Sequence, residues 1–357
     1  MSMNKEIKCF KYAPDGLIFV GIAEDYDSFS FERSYSGVGQ FQIVISPYSM
    51  GAKYLVNADI IAVEAGVAGL IMNKTEIKNE TYTISGVELK GIASKRIVYP
   101  PAGQAYLHYR EAPETIIKSI LTTQLTAATA SRKIAGTVAD DGIVSAKITY
   151  DGRFGNVAED ISAIAETYGI GWYADVQGNA IVWHIYHGKD RTAGQSANNR
   201  FLIDAENAGG QIERLYHNSN CALVAGQGEG VNRAIVYVND SVAGWNRNEL
   251  YVDARDIDDN SLLPQRGTEK LAEYGTDTTL LVEPYAFLLN TYRTGYDLGD
   301  IGTYVPLNIA VRLTKITEVY ENNAFSLTYD FGYDAHTLSQ RLNRMEKNTT
   351  TLFSKEA

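Results

Sequence analysis

A series of short strand-like runs between residues 16 and 85 limits the fold of this chain more than any other feature. The runs are rich in β-branched and aromatic residues, and turn-forming residues separate them. They are Gly16–Val20, Gln40–Ile45, Ile60–Glu64, Ala68–Met72 and Thr81–Ser85. Closely spaced strands joined by turns are typical of a small barrel or sandwich. The sequence therefore predicts a β-barrel-like domain over residues 1–110.

The period of the apolar residues becomes helical after residue 110. Pro113 can open a helix at its first position, and apolar side chains follow it on one helical face. The residues on this face are Ile116, Ile117, Ile120, Leu121 and Leu125. This helix is predicted to begin an α+β insert over residues 111–200.

A second predicted helix has clear start and stop signals. Asn156 is a plausible N-cap with Glu159 three residues later, and Gly169 can end the helix in a left-handed conformation. Two strand-like runs follow, Gly171–Asp175 and Ala180–Tyr186. A helix followed by a hairpin predicts a compact α+β module.

Strands return after residue 200, and one more helix interrupts them. The run Ala234–Val238 indicates a strand, a helix is predicted from about Leu262 to Tyr274 with Gly275 as its stop, and more strands are predicted from Leu280 to Phe331. The predicted units are a β-rich insert with a helix over 201–275, a C-terminal β-domain over 276–335, and a short helix with a polar tail over 336–357, where Leu338, Leu342 and Met345 are apolar. The predicted fold class is α+β, mainly β and multidomain.

Two segments far apart in the chain resemble each other. Residues 58–86 and 299–328 both indicate three strands separated by turns. Asp59 aligns with Asp300 at an offset of 300 − 59 = 241, and Glu76 aligns with Glu318 at 318 − 76 = 242. Chance similarity between hairpins and a true duplication both explain this match. A duplication would make the first and last β-domains relatives, with the α+β material inserted between them.

Composition and charge narrow the classes of function. Hydrophobic residues make up 45% of the chain and charged residues 21%, as in ordinary soluble globular proteins. Because affinity for nucleic acid depends mainly on Lys and Arg at phosphates, the net charge of −11 argues against stable nucleic-acid binding. The 24 Tyr favour strands and contact surfaces. The most apolar window, Ile60–Met72, is too short for a membrane span.

The cysteines give no sign of a disulfide framework or of a zinc site. The chain has two cysteines, Cys9 and Cys221, which lie far apart and outside any metal-binding motif. No apolar secretion signal stands at the N-terminus. We therefore expect a soluble chain that folds in a reducing cytoplasm.

The histidines and one glycine-rich segment are weak candidates for chemistry. His184 and His187 are three positions apart in a predicted strand, so they point to opposite faces and cannot share a metal without a bulge. The remaining histidines, His108, His217 and His336, form no motif. Gly226–Gly230 lacks the spacing of a dinucleotide-binding loop, and a strand rather than a helix follows it, so a turn or bulge is predicted.

Acidic segments are equally unconvincing as active sites. Asp253–Asn260 has alternating oxygen ligands but neither the essential Gly nor the distant Glu of a calcium loop, so a solvated loop is predicted. Asp190 and Arg191 follow a strand and are predicted to fix a loop. The sequence therefore predicts no catalytic, cofactor-binding or metal-binding residues, no cofactor, and a protein that is not an enzyme.

Several ordered motifs resemble the hub-like tail protein family of siphophages. The motifs are Tyr35–Ile45, Val67–Ile71, Gly86–Arg96, Gly188–Thr192, Val224–Gly230 with Arg233, and Tyr296–Ile301, which contains the sequence Asp-Leu-Gly-Asp. Each motif is weak alone, but together they cover most of the chain in the expected order. The resemblance implies a baseplate-hub or tail-tip protein with β-barrel domains and inserted α+β domains.

The same resemblance implies partners and a location. Such hubs form homotrimers that join the tail tube or a distal tail protein to a central spike or fibre, with the tape-measure protein as a further partner. The place implied is the virion tail or a phage-like particle, assembled in the host cytoplasm; contractile tails, non-contractile tails and injection devices all remain open. Two related domains on each of three chains would give six equivalent contact sites for a sixfold tube.

Two alternatives belong to other classes of function. A cell-wall hydrolase of the tail tip would need a cleft with two carboxylates or a metal. We expect no separate lytic domain, because the chain ends soon after its last predicted strand, at Phe353–Ala357. A receptor- or carbohydrate-binding module is suggested by the many Tyr and by Trp172, Trp183 and Trp245.

Overall fold

The computed structural model describes residues 5–77, 80–140, 145–214, 219–273, 278–285, 291–321 and 324–332. Its N-terminal part holds one short helix, α1 (Ala52–Asn57), among strands. The strands are β1 (Ile7–Ala13), β2 (Gly16–Ala23), β3 (Ser28–Ser34), β4 (Gln40–Ile45), β5 (Ile60–Glu64), β6 (Val67–Ile77) and β7 (Thr81–Glu88). All five strand-like runs predicted in this region are confirmed.

The middle part contains the predicted helices and hairpin. Its elements are β8 (Leu107–Glu111), α2 (Pro113–Leu121), β9 (Gly136–Val138), β10 (Ile148–Gly152), α3 (Val157–Tyr168), β11 (Gly171–Gln177) and β12 (Ala180–Tyr186). The apolar face predicted after Pro113 is fully buried, and a π turn, Thr122–Thr126, keeps Leu125 on it. Asn156 caps α3 by accepting a hydrogen bond from the backbone N–H of Ala158 (2.9 Å), and Gly169 ends it at φ 64°.

The C-terminal part returns to strands. Its elements are β13 (Leu202–Ile203), β14 (Ala208–Arg214), β15 (Cys221–Ala225), β16 (Ile235–Val238), β17 (Glu249–Asp253), α4 (Leu263–Glu273), β18 (Thr278–Pro284), β19 (Ile301–Tyr304), β20 (Ile309–Glu321) and β21 (Ala324–Phe331). The predicted strand at 234–238 and helix at 262–274 are confirmed as β16 and α4. Gly275 and the tail 336–357, with Leu338, Leu342 and Met345, lie outside the described residues.

One large sheet joins the two ends of the chain. Its strands lie in the order β14-β18-β21-β20-β3-β4-β7-β6-β5-β1-β2, and β19 and β13 branch from β20. The junction is the antiparallel pairing of β20 with β3. Within the described ranges no further pairing closes this sheet, so its barrel-like parts are open. The predicted mainly β fold with α+β material between the ends is confirmed.

Apolar side chains form separate cores on this framework. One core holds Phe29, Phe31, Ile43 and Ile84 of the N-terminal strands, and a second joins one side of β1, β2, β5 and β6 to α2, α3, β11 and β12. A third lies among the C-terminal strands, and a fourth between α4 and the small sheet of β15, β16 and β17. The predicted domain limits remain a proposal, and the pairing of β14 with β18 places residues 208–214 beside the C-terminal strands.

Candidate assembly surfaces

The two ends of the chain repeat the same strand arrangement. In the N-terminal part, β3 to β7 lie in the spatial order β5-β6-β7-β4-β3. In the C-terminal part, β14, β18, β19, β20 and β21 lie in the order β19-β20-β21-β18-β14. Each strand therefore has a counterpart at the same place in chain order and in space. The small sheet of β15, β16 and β17, with α4, is inserted between the first two strands of the second copy.

Local details repeat as well. The β6–β7 ladder shifts register between Ile71 and Asn73, and the β20–β21 ladder shifts between Leu313 and Lys315, at an offset of 313 − 71 = 242. The backbone N–H of Ile71 donates to the carbonyl of Asp59, and that of Leu313 donates to the carbonyl of Asp300, each at 2.9 Å. A bulge and a turn bond at matching places are specific features of a strand pair. The sequence similarity thus corresponds to a repeated structure.

The aspartates that align in the two repeats make matching side-chain contacts. The Asp59 carboxylate accepts a hydrogen bond from the backbone N–H of Tyr12 (3.0 Å), and the Asp300 carboxylate accepts one from that of Lys189 (2.7 Å). Asp300 also pairs with the Arg191 guanidinium at 2.5 Å. Each aspartate therefore holds a segment that precedes its repeat in the chain. Asp190 accepts a hydrogen bond from the backbone N–H of Thr192, so the Asp190–Arg191 pair does fix a loop.

A broad polar face extends over six neighbouring strands of the large sheet. The printed registers bring one residue from each of β6, β7, β4, β3, β20 and β21 into a single row across it. The row consists of Asn73, Ser85, Gln42, Ser30, Val319 and Ser326. The opposite side of the same strands carries buried residues such as Phe31 and Ile43. Short hydroxyl and amide side chains make up most of this row.

Tyr35 lies where the N-terminal strands, the α+β module and the C-terminal strands meet. Its hydroxyl donates to the carbonyl of Gly169 (2.9 Å) and accepts from the backbone N–H of Gly188 (3.1 Å). Its ring is 5.2 Å from the Arg312 guanidinium. A Cβ on Gly299 would lie 2.2 Å from this ring, so only glycine fits there. The side chain therefore holds three parts of the chain together.

A fully buried ion pair lies beside this junction. The Lys90 ammonium is 3.1 Å from the Glu88 carboxylate, and it donates to the carbonyls of Ser34 (2.5 Å) and Trp172 (3.0 Å). Glu88 also accepts from the backbone N–H of Gly39 (2.7 Å). Burial raises the pKa of Glu88, although Lys90 and the backbone donors oppose that rise. The pair connects the N-terminal sheet to β11 of the α+β module.

A second charged cluster connects β3 to the segment before β19. The Arg33 guanidinium donates to the Tyr292 hydroxyl and to the Asp297 carboxylate, both at 2.8 Å. Burial would raise the pKa of Asp297, but the charge and hydrogen bond of Arg33, the backbone N–H of Leu298 and the charge of Arg293 together hold this pKa below its ordinary value. The Glu318 carboxylate accepts from the Tyr292 hydroxyl (2.6 Å) and from Arg293 (3.1 Å). This cluster reinforces the β3–β20 junction.

The histidines singled out in the sequence lie apart. The His184 ring stacks on Tyr173 with the ring centres 4.7 Å apart, whereas the His187 Nε2 is 2.8 Å from the Glu114 carboxylate. His108 is 2.7 Å from the Asp151 carboxylate, and His217 and His336 lie outside the described residues. In the described part of the chain, no three metal-ligating side chains come together.

The glycine-rich and acidic segments form loops, as the sequence predicts. Gly226–Gly230 begins the connection between β15 and β16, with the backbone N–H of Gly226 donating to the carbonyl of Ala234 (2.8 Å). In the acidic loop Asp253–Asn260, Asp256 pairs with Arg266 at 3.0 Å and Asp258 accepts a hydrogen bond from Gln227. These carboxylates therefore hold their own loop in place. The residues at the junction (Tyr35, Glu88, Lys90 and Arg33) were not singled out one by one, although the first three lie in the motifs quoted above.

The buried carboxylate of Glu114 gives a test of the α+β module. Burial would raise its pKa, but hydrogen bonds from Ser145 and His187 outweigh burial and lower the pKa. A lowered folded-state pKa contributes stability that is present above the unfolded-state pKa and lost as pH falls through the folded-state value. We expect Glu114→Gln to lower the free energy of unfolding at neutral pH and to weaken its fall in acid. Urea unfolding over a pH series measures both, with exposed Glu6→Gln as the control; equal curves for the two variants would contradict this role.

Comparison with known proteins gives the family. The model for Siphovirus ReqiPepy6 Gp37-like protein matches residues 15–333, while no curated protein sequence matches the chain. Among solved structures, the 43 kDa tail protein of prophage MuSo2 from Shewanella oneidensis is 13% identical at a TM-score of 0.55, covering 92% of this chain and 98% of its own. A tail protein from Neisseria meningitidis is 12% identical at 0.55, covering 93% and 97%.

A third similar structure is the prophage tail protein gp18 from Listeria monocytogenes, which is 11% identical at a TM-score of 0.55 and covers 96% of this chain and 98% of its own. These similarities show a shared fold over nearly the whole length of each protein. The family match covers most of the chain independently of them. The chain therefore belongs to the Siphovirus ReqiPepy6 Gp37-like family of phage tail proteins.

Proposed function

We propose that this tail protein is a structural hub at the tail tip, in which three copies form a ring between the tail tube and a central spike or fibre. The observation that carries this proposal is the repeated five-strand sheet. Because β3 of the first repeat pairs with β20 of the second, one chain supplies two similar neighbouring units in a row. Three such chains would present six similar units, which suits contact with a sixfold tube.

The polar face supports the same proposal. A ring built from six such sheets would turn one continuous face inward, and short polar side chains there would let a tape-measure protein or nucleic acid pass without lasting contact. The net charge of −11 agrees with this, since it opposes tight binding of phosphates. The tail tube or distal tail protein and the spike or fibre are the proposed partners. The proposed place is the virion tail, after assembly in the host cytoplasm.

The proposed units keep the predicted limits, with one adjustment. Residues 1–110 and 276–335 supply the two ring units, joined by β14 of residues 201–275, and residues 111–200 form the α+β insert. The contacts of the candidate residues support a structural role rather than catalysis, because the carboxylates of Asp59, Asp300 and Asp256 each hold a neighbouring segment in place. Among the described helices, none is long and apolar enough to cross a membrane.

The mass of the native assembly tests the ring. We expect native mass spectrometry or light scattering on the full chain to show three copies of the 39.3 kDa protein, either alone or in complex with added tail-tube and distal tail proteins. A monomer under both conditions would contradict the proposal. Zymography on cell walls addresses the hydrolase alternative, and we expect no clearing.

One observation favours the receptor-binding alternative for the small inserted sheet. Trp245 is fully exposed, and Tyr237, Tyr251 and Ile235 are about half exposed on the side of that sheet away from α4. Aromatic side chains that stand in solvent are common in contact surfaces. Binding of the isolated protein to whole host cells, lost in Trp245→Ala, would support this role, whereas binding to tail proteins alone would exclude it.

A further inference from the structure

Among the described strands, two edges that are equivalent in the repeats differ in their neighbours. The β6 edge is unpaired whereas its counterpart on β20 is paired, and the β14 edge is unpaired whereas its counterpart on β3 is paired. In the second repeat, residues 315–321 of β20 pair with β21 on one side and with β3 on the other. Residues 73–77 of β6 are the counterparts of residues 315–319, and they pair with β7 on one side. On their other side, none of the strands in the described ranges pairs with them.

The edge on β3 and its counterpart on β14 show the reverse pattern, because here the first repeat has the paired edge. In the first repeat, β3 pairs with β4 on one side and with β20 on the other. Its counterpart β14 pairs with β18, and it ends the sheet as far as the structure describes the strands. One chain therefore uses one edge of each kind internally, at the β3–β20 junction. Among the strands that the structure describes, it leaves one edge of each kind unpaired, on β6 and on β14.

The β6 edge is open to solvent. Asn73, Thr75 and Glu76 are all exposed, and Met72 beside them is 61% exposed. An unpaired edge offers a row of backbone N–H and C=O groups to another strand. The edge that complements it is already known from this chain, because β3 is bound at the equivalent place on β20. The occupant with the matching geometry is β14 of a second copy.

We infer that β14 of one copy pairs with the open edge of β6 in the next copy, antiparallel and in the register of β3 on β20. This inference rests on the proposed ring and names the contact that closes it. A contact between two different edges is head-to-tail, so it forms a closed ring only if the rotation between units fits. Six repeats from three chains supply six such contacts, three within chains and three between them.

The repeat fixes the register of this contact. Lys74 pairs with Ile84, and Ile316 pairs with Tyr329, so Ile84 and Tyr329 are counterparts at 316 − 74 = 242. From β7 across β4 to β3, Ile84 pairs with Ile43, and Ile43 pairs with Phe29.

In the second repeat, Tyr329 pairs with Val282, which pairs with Gly210. Phe29 therefore corresponds to Gly210, at an offset of 210 − 29 = 181.

The sequence agrees with this alignment. With the offset of 181, the dipeptide Glu32-Arg33 of β3 corresponds to Glu213-Arg214 of β14, which has the same two residues. Within the chain, Thr317 lies opposite Glu32. The counterpart of Thr317 is Thr75, at 317 − 75 = 242. Between copies, Thr75 of β6 therefore lies opposite Glu213 of β14.

A disulfide across these positions tests the inference. Opposite residues in antiparallel strands have Cα atoms about 4.5–5.5 Å apart, which is within the range for a disulfide. We expect the double variant Thr75→Cys, Glu213→Cys, in the full chain under mild oxidation, to give covalent dimers and trimers on a non-reducing gel. The native Cys9 and Cys221 are buried, so they do not compete. Two single variants mixed together should give dimers only.

Two matched controls define the register. Glu32→Cys with Thr317→Cys is the equivalent pair inside one chain, and it should form a disulfide without a change in oligomer size. Thr75→Cys with Gln211→Cys is displaced by two residues, so its Cα atoms are about 7–8 Å apart and crosslinking should fall at least tenfold.

The outcomes separate the contact from the ring. A native trimer in which Thr75→Cys and Glu213→Cys stay unlinked, while the intrachain control links, overturns the strand contact and leaves the ring standing. A monomer with and without tail proteins overturns both. Covalent products that continue beyond the trimer support the strand contact and overturn the closed threefold ring.

Discussion

Replacing Lys90 by Met should destabilise the protein by about 3–5 kcal/mol, because removal of one partner leaves the buried Glu88 carboxylate without its cation. The Lys90 side chain is completely buried and the Glu88 side chain is 5% exposed. The variant also removes the hydrogen bonds that the Lys90 ammonium donates to the carbonyls of Ser34 and Trp172. Urea unfolding at neutral pH, followed by Trp fluorescence, measures the loss.

The pH dependence of the stability loss and a double variant test whether the unpaired charge of Glu88 causes it. Without Lys90, burial raises the pKa of Glu88 further, and a raised carboxyl pKa destabilises the fold as pH rises from the unfolded-state value to the folded-state one. The loss should therefore shrink in acid. Glu88→Gln combined with Lys90→Met removes both charges and should recover a large part of the stability. An equal loss at all pH values, unchanged in the double variant, would point to packing alone.

Local signals in the sequence predicted the elements well. The predicted run Gln40–Ile45 is strand β4, in which Phe41 and Ile43 are buried while Gln40 and Gln42 are exposed. Strands β1 and β3 were not predicted. Helix α3 follows from its caps, Asn156 and Gly169, which act within one turn of the helix. Such features depend on neighbours in the chain, so the sequence contains them directly.

The pairing of strands that are far apart in the chain could not be predicted from the sequence. The two strands β14 and β18 are adjacent in space, although the entire small sheet and α4 separate them in the chain. The similarity between 58–86 and 299–328 was visible because the strand meander, its bulge and Asp59 and Asp300 recur at nearly constant spacing. Their first strands escaped notice because β3 and β14 share little beyond Glu-Arg, and backbone pairing does not specify side chains.

The junction residues illustrate the same limit. Lys90 and Glu88 are close in sequence, but that spacing does not show that both side chains are buried or that the Trp172 carbonyl of the α+β module lies beside Lys90. Tyr35 gains its role from Gly169, Gly188 and Arg312, which come from other parts of the chain. A motif that includes such residues indicates a family. The role of each residue can be explained only from its contacts in the folded protein.

Gly299→Ala should be among the most damaging single-methyl changes in the chain. Gly299 has φ 92°, a backbone conformation that costs other residues about 1–3 kcal/mol. The added Cβ would also lie 2.2 Å from the Tyr35 ring, and overpacking costs about 1–3 kcal/mol more. We therefore expect a combined loss of about 2–6 kcal/mol in the free energy of unfolding. Because Tyr35 joins three parts of the chain, we expect the proposed trimer to be lost along with it.

Gly103→Ala is the matched control for backbone strain. Gly103 has φ 81°, but no atom lies within 4 Å of the Cβ that alanine would add, so this variant should show the backbone cost alone. Tyr35→Leu tests the part of the loss that comes from the clash, since it removes the ring that the new methyl group would contact. In the double variant Tyr35→Leu, Gly299→Ala, the two losses should be less than additive. Equal losses in the two glycine variants, or full additivity with Tyr35→Leu, would show that contact with Tyr35 is not why position 299 requires glycine.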